Sequence, residues 1–258
     1  MILAIDCGNT NTVFALYTVN NQINQLASWR INNDSKRTAD LYYPWLLKMF
    51  EISKFNITSV TGISVASVVP ETLVNIKSLI KKYFNVKTLI VNENILDLGI
   101  KVNIDNPKEL GPDRIANSVG GFKMAQKSVI IVDLGTATTF DVVNDKKEYL
   151  GGSIAPGIKI SLEALTTKTS SLKSVEILSP KSVIGKNTYE AIQSGLILGH
   201  ASMIDSMLEK IILETGTNPK IVITGGLGEV IQPLLNVETE YSKDLTLNGL
   251  EEIYFLNN

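Results

Sequence analysis

Asp6-Cys7-Gly8-Asn9-Thr10-Asn11-Thr12 places a carboxylate, a glycine and four consecutive amide or hydroxyl side chains directly after the apolar residues 2–5. Such a turn suits phosphate. Glycine lets backbone amides come close to a ligand, and the Asn and Thr side chains supply neutral donors for phosphate oxygens. Asp6, at the end of an apolar strand, could hold a hydrated Mg²⁺ beside those oxygens, because magnesium keeps most of its water and needs few carboxylates. The plainer reading is an Asx-type turn, in which Asp6 and Asn9 bond only their own backbone. A second copy of the pattern weighs against it. Asp133-Leu134-Gly135-Thr136-Ala137-Thr138-Thr139 follows the apolar residues 129–132, nearly half the chain later. Asp133 stands where Asp6 does. Either both aspartates serve Mg²⁺, or one of them serves a different cation. Asp141 lies two places beyond Thr139 and shares its strand face. It either looks into a cleft or caps a neighbour.

Two further segments carry chemistry. In Gly111-Pro112-Asp113-Arg114, proline suits a first helical turn and Asp113 is favoured there on electrostatic grounds alone. The functional alternative is that Asp113 accepts the proton of an attacking hydroxyl and Arg114 clamps a carboxylate or phosphate on the acceptor. Thr224-Gly225-Gly226-Leu227-Gly228 lies between a strand and a helix, where a flat purine and its ribose could rest on bare backbone. Cys7 is the only cysteine and His200 the only histidine. No internal disulfide and no zinc site of the usual His/Cys type can be built. Cys7 reads as a small residue filling a turn, and His200 as a helix residue without catalytic duty.

The elements that must position these groups repeat. Residues 2–5, 13–17 and 26–31 are short apolar runs, with turn residues Asn20, Asn21 and Gln22 before the third; they predict an antiparallel meander. A helix follows, with Leu41, Trp45, Met49 and Phe50 expected inside and Pro44 in its first turn or kinking it. Residues 63–67 and 88–91 read as strands. They flank an amphipathic helix whose Leu73, Ile76, Leu79, Ile80 and Phe84 face inward. The second half repeats the order, with strands at 129–132 and 140–143. The glycine-rich residues 149–157 read as a broken strand forming a loop in close contact with something. A long helix spans 188–214, with the small-residue face Ala191, Gly195, Gly199 and Ser202 expected to pack closely. A strand at 221–224 and a last helix at 248–256 complete the pattern, that helix returning toward the first half. The chain divides into domains at 1–110 and 111–258, with residues 105–110 as the boundary region.

Composition bounds the rest. Of 258 residues, 44% are hydrophobic and 19% charged, enough for a sizeable core. A net charge of −2 offers no basic surplus for nucleic acid. No apolar run reaches the ~18 residues of a membrane span. The first residues lack the pattern of a signal peptide, and a cytoplasmic location is expected.

With these motifs in this order, the chain resembles the type III pantothenate kinases of the acetate and sugar kinase, heat-shock chaperone and actin superfamily. The similarity runs over essentially the whole length. It rests on residues 6–10, on Gly111-Pro112-Asp113-Arg114, on residues 133–141 and on Gly185-Lys186-Asn187-Thr188. The resemblance implies an α/β fold of two tandem ribonuclease-H-like domains, with mixed sheets flanked by helices and an ATP cleft between them. It implies phosphorylation of pantothenate by ATP, the first step of coenzyme A biosynthesis. Asp6, Cys7, Gly8, Asn9, Thr10, Asn11, Thr12 and Thr136 would bind ATP, with Asp6 serving Mg²⁺. Gly111, Pro112, Asp113, Arg114 and Thr188 would bind pantothenate, with Asp113 as proton acceptor. Asp133 would bind a monovalent cation, K⁺ or NH₄⁺, and the protein would be a homodimer. Ile104 departs from the family pattern, which has tyrosine there. The alternatives are a nucleotide-binding transcriptional accessory protein of the same fold without kinase activity, another small-molecule kinase, and an actin-like switch. Retention of Asp113, Arg114 and Thr188 argues against the first. The missing zinc-binding residues argue against many sugar kinases, and the short chain against the switch.

Overall fold

The computed structural model describes residues 1–18, 24–167 and 175–258. The expected turn at Asn20, Asn21 and Gln22 lies outside them. In chain order the elements are β1 (Ile2–Cys7), β2 (Asn11–Tyr17), β3 (Gln25–Asn32), α1 (Ala39–Ile52), β4 (Gly62–Ser67), α2 (Pro70–Tyr83), β5 (Lys87–Ile90), β6 (Lys101–Val102) and α3 (Pro112–Ala125). Then follow β7 (Val129–Leu134), β8 (Ala137–Val143), β9 (Glu148–Pro156), α4 (Ile158–Thr167), α5 (Thr188–Thr215), β10 (Lys220–Thr224), α6 (Gly228–Ile231), β11 (Glu240–Tyr241) and α7 (Leu245–Leu256). Two compact units result. The first comprises Met1–Lys101, Asp105–Lys123 and Leu245–Asn258; the second comprises Val102–Ile104 and Met124–Asp244.

The first unit is built on a sheet of order β3-β2-β1-β4-β5. β1, β2 and β3 form the antiparallel meander, and β4 and β5 run parallel to β1. Alternation along β1 and β2 sends Leu3, Ile5, Phe14 and Leu16 to one face. There they meet Tyr42, Leu46 and Phe50 of α1 and Ile76, Leu79 and Ile80 of α2. On α1 the expected Phe50 is buried and Trp45 packs against the core, but Leu41 is 60% exposed. The helix begins at Ala39, Pro44 lies inside it, and the four-residue spacing of Tyr42, Leu46 and Phe50 defines the buried side.

α3 and α7 belong to this same unit, so the segment around Leu110 does not separate compact bodies; the first break after α2 and β5 comes at Lys101, and α3 stays with the first unit to Lys123. The two helices approach at backbone contact. A Cβ on Gly249 would lie 1.8 Å from the Ala116 carbonyl oxygen. Thr246 Oγ1 donates to Asn117 Oδ1 at 2.7 Å.

The second unit has the sheet order β11-β10-β7-β8-β9-β6. β7, β8 and β9 are antiparallel, and β10 and β11 continue in parallel. Ile130, Val132, Leu134 and Phe140 face Ile197, Ala201, Ile204 and Leu208 of α5. The opposite sheet face therefore carries Ile131, Asp133, Thr139 and Asp141. Two expectations change here. The glycine-rich segment is a continuous strand, β9, paired along β8; an irregularity between Val142 and Val143 absorbs the left-handed Gly151, at φ +117°. On α5 the buried stripe is Ser194, Ile197, Ala201, Ile204 and Leu208. Gly195 and Gly199 face outward, and among the described residues nothing lies within 4 Å of a Cβ placed on either.

Candidate active site

β1 and β7 have the same burial sequence: four buried residues, a half-buried aspartate, then a buried residue. Each aspartate therefore stands at the end of an apolar strand, where the chain turns. In the first unit the Gly8 amide donates to the Asn11 carbonyl at 3.0 Å, and Asn9 and Thr10 form an exposed tip. The side chains of Cys7 and Thr12 do not reach this tip. Cys7 is buried in the core. Burial, with the Asp6 charge beside it, pushes its thiol up to about 12, so it is no nucleophile at neutral pH. Thr12 is fully buried, and its hydroxyl donates to Asn33 Oδ1 at 3.1 Å.

Asn33 carried no signal in the sequence. Its backbone N–H donates to the Thr10 carbonyl at 2.8 Å, and its Nδ2 donates to the Gly8 carbonyl at 2.8 Å. Thr72 of α2 adds a hydroxyl donated to Asn33 Oδ1 at 3.0 Å. These partners lie far apart in sequence, and only the fold brings them together.

Asp113 also belongs to the first unit. It opens α3, and its Oδ1 accepts the Arg114 backbone N–H at 2.8 Å. A Cβ on Gly111 would lie 2.6 Å from that same oxygen. The glycine is thus the space into which the carboxylate folds. Burial raises the Asp113 pKa above the ordinary aspartate value, partly offset by the Arg114 amide and charge. A carboxylate held in place with raised basicity is suited to accepting a proton.

In the second unit the Gly135 amide donates to the Ala137 carbonyl at 3.1 Å, and Thr136 forms the tip. Asp133 is half-buried in β7. Its cross-strand neighbours are Thr139 on β8 and Thr224 on β10. A Cβ on Gly225 would lie 2.5 Å from Asp133 Oδ1 and 2.6 Å from Leu134 backbone atoms. Gly225 is also left-handed, at φ +89°. Its bareness serves this close crossing, whereas Gly226 has nothing within 4 Å and presents open backbone.

Asp141 resolves into a cap. It is fully buried and accepts from Tyr149 Oη at 2.7 Å and Thr139 Oγ1 at 3.1 Å. His200 on α5 pairs with Thr138 Oγ1 at 2.8 Å, and burial lowers its pKa. Ile104 lies against β9, its Cγ2 3.8 Å from a Cβ placed on Gly151. Thr188 is exposed at the first turn of the 28-residue α5. Asn187 caps that helix by accepting the Glu190 N–H at 2.9 Å.

The donor sets bear on which ions these positions could hold. A single half-buried carboxylate beside a phosphate-type turn, as at Asp6, suits a Mg²⁺ that keeps its water. Asp133 with two threonine neighbours on one sheet face offers hard oxygens and one negative charge. Among the described residues no group of three His, Cys, Asp or Glu side chains could hold a metal ion. Among them, too, no helix is long and apolar enough to cross a membrane.

Two meander-plus-parallel sheets, each bearing an aspartate and a tight turn, define the fold of the actin-like ATPases and sugar kinases. Solved structures agree. A Campylobacter jejuni protein assigned to the Baf family of transcriptional activators aligns with a TM-score of 0.59 at 20% identity, over 98% of this chain and 97% of its own. A Cytophaga hutchinsonii protein assigned as a sugar kinase aligns with a TM-score of 0.50 at 19% identity, over 99% of each chain. The family model for type III pantothenate kinase matches residues 2–210. A Roseobacter denitrificans type III pantothenate kinase is 39% identical over 100% of this chain and 98% of its own. The chain belongs to the type III pantothenate kinase family.

Proposed function

We infer that the chain phosphorylates pantothenate with ATP, the first step of coenzyme A biosynthesis. The observation that carries the residue-level reading is the Gly111–Asp113 contact, which seats a carboxylate of raised basicity at the start of α3. In this reading Asp113 accepts the proton of the primary hydroxyl of pantothenate. The hydroxyl oxygen bonds to the γ-phosphorus as the bond to the departing ADP oxygen breaks. The transition state is loose, so Asp113 acts mainly by orienting the hydroxyl. Arg114 clamps the acceptor or the transferred group. Thr188, exposed at the positive end of a long helix, takes the pantothenate carboxylate.

ATP phosphates are held by the backbone of residues 6–12, with Cys7 and Thr12 contributing through main chain rather than side chain, and by Thr136. Asp6 holds Mg²⁺ through water. Asp133, with Thr139 and Thr224, holds K⁺ or NH₄⁺. When bound, these ions neutralise phosphate charge. The bare outer face of α5 at Gly195 and Gly199, together with exposed Val183, Ile184 and Tyr189, supports a homodimer. The absence of a basic surplus supports small-molecule rather than nucleic-acid partners. A cytoplasmic setting follows from the metabolic role.

The test is a kinase assay with ATP, Mg²⁺ and K⁺ that compares pantothenate, simple sugars, acetate and water as acceptors. Pantothenate should be the preferred acceptor. Equal turnover with water alone, or nucleotide binding without any transfer, would overturn the reading; the second result would favour an accessory protein of this fold.

A further inference from the structure

We propose that Asn33 is a positioning residue that makes the first turn selective for an anion by holding its carbonyls away from the ligand. The proposal rests on the reading of residues 6–12 as a phosphate site. A turn offers amides and carbonyls alike, and a carbonyl facing a triphosphate repels it. Three carbonyls of this turn are fixed by named bonds. Those of Gly8 and Thr10 are taken by the Asn33 side chain and backbone N–H, each at 2.8 Å. That of Asn11 is taken by the Gly8 amide at 3.0 Å. The Asn33 amide group cannot flip freely. Its Oδ1 receives the hydroxyls of Thr12 and Thr72 at 3.1 and 3.0 Å, and both threonines are buried, at 0% and 1% exposure. The Gly8 carbonyl can only accept, so it fixes which end of the amide is nitrogen, and the two buried hydroxyls then donate to the oxygen. The nitrogen is then committed to Gly8. The exposed tip, Asn9 and Thr10, is left to meet the ligand with its carbonyl side tied down.

The test compares three variants of the full-length enzyme by steady-state kinetics, thermal melting and calorimetric titration with ADP. Asn33→Ala should raise KM for ATP about tenfold, roughly the worth of the one side-chain hydrogen bond that holds the Gly8 carbonyl, and weaken ADP binding in parallel. Its kcat and its KM for pantothenate should stay within about twofold of the parent. Thr72→Val removes one hydroxyl from Asn33 without freeing Gly8. It should lower the melting temperature but leave KM for ATP within about twofold. Gly8→Val crowds the turn itself and should raise KM for ATP more than either. If Gly8→Val raises KM for ATP and Asn33→Ala does not, the positioning role is wrong while the phosphate reading stands. If neither changes it, both are wrong. If Thr72→Val raises KM for ATP as much as Asn33→Ala, the effect is general loosening and the positioning role is again wrong.

Discussion

In the first unit the turn after Asp6 is braced by side chains: Asn33 ties the Gly8 carbonyl, and the Thr12 and Thr72 hydroxyls hold Asn33 in place. In the second unit the turn after Asp133 is braced by backbone. A Cβ on Gly157 would lie 2.2 Å from the Thr136 carbonyl oxygen, and one on Gly225 would collide with both Leu134 and Asp133. The two turns grew from one pattern, and their aspartates have the same burial, yet one is held by groups that can be removed singly and the other by close packing that tolerates no added atom. Hydrogen-bonded bracing degrades by about 1 kcal/mol per bond. Backbone crossing fails abruptly, because main chain cannot move aside as a side-chain tip can.

The largest expected effect belongs to the unit with the side-chain-braced turn but lies outside either turn. Asp113→Asn should lower kcat by about 10²–10⁴-fold while ADP binding stays within about twofold. The raised Asp113 pKa means that the folded chain favours the neutral form. Its contribution to stability is complete below the ordinary aspartate range and is lost as pH rises through the folded value. The Asn variant should therefore melt at a higher temperature than the parent at neutral pH, and lower at no pH above that value. The acid limb of kcat/KM in the parent should fall at a higher pH than an ordinary aspartate gives. Near-native turnover in the variant would remove Asp113 from the base role.

Next come the glycines. Gly157→Val and Gly225→Val should each cost roughly 2–4 kcal/mol or prevent folding. Gly8→Ala, where a Cβ meets only the Asn11 carbonyl at 3.4 Å, should cost about 1 kcal/mol or less. Melting curves of the three variants decide whether the contrast between the turns is real. Equal losses at Gly8 and Gly157 would break it.

Asp133→Ala sharpens the same contrast chemically. If the second turn serves a monovalent cation, this variant should need on the order of tenfold more K⁺ for half-activation, and K⁺ should no longer raise its melting temperature. Asp6→Ala should instead raise the Mg²⁺ requirement. Interchanged responses would swap the assigned ions.

How much of this was legible follows the range of the interactions. The duplicated turn, the strand that precedes each copy and the aspartate at its end are local patterns, and the sequence displays them directly. So is Gly111-Pro112-Asp113-Arg114, whose parts touch within three residues. Asn33 was not legible, because its meaning lies in Gly8, Thr12 and Thr72, brought to it from another strand and a helix. On α1 the buried Phe50 was legible, but Leu41 was not, because helical spacing admits two registers and Leu41 and Tyr42 are neighbours. Burial by the sheet chose Tyr42. The α5 glycines suggest a packing face, and among the described residues nothing packs on them. Glycines in β9 suggested a loop, and pairing with β8 overrode that preference.

A last contrast, one of stability alone, concerns the buried carboxylates that the two units keep. Asp141 in the second unit accepts two hydroxyls at 2.7 and 3.1 Å. Glu251 in the first lies on α7 with 0% exposure, reached by Lys123 of α3 at 3.3 Å on Oε2, while its Oε1 has no hydrogen-bond partner. Burial, opposed by Lys123 and reinforced by Glu252, raises its pKa from 4.5 to about 7. Stability from the neutral form is thus full below about pH 4.5 and is lost as pH rises through about 7. Glu251→Gln keeps the shape without the charge, and Lys123 retains Glu252 at 2.5 Å. At pH 8 the variant should be more stable by roughly 1–3 kcal/mol, with unchanged kcat, and its stability should no longer decline between pH 5 and 8. Asp141→Asn, which disturbs a satisfied pair of hydroxyl donors, should move stability the other way. A Glu251→Gln protein that loses stability at pH 8 would show that the Lys123 pairing outweighs the burial of the charge.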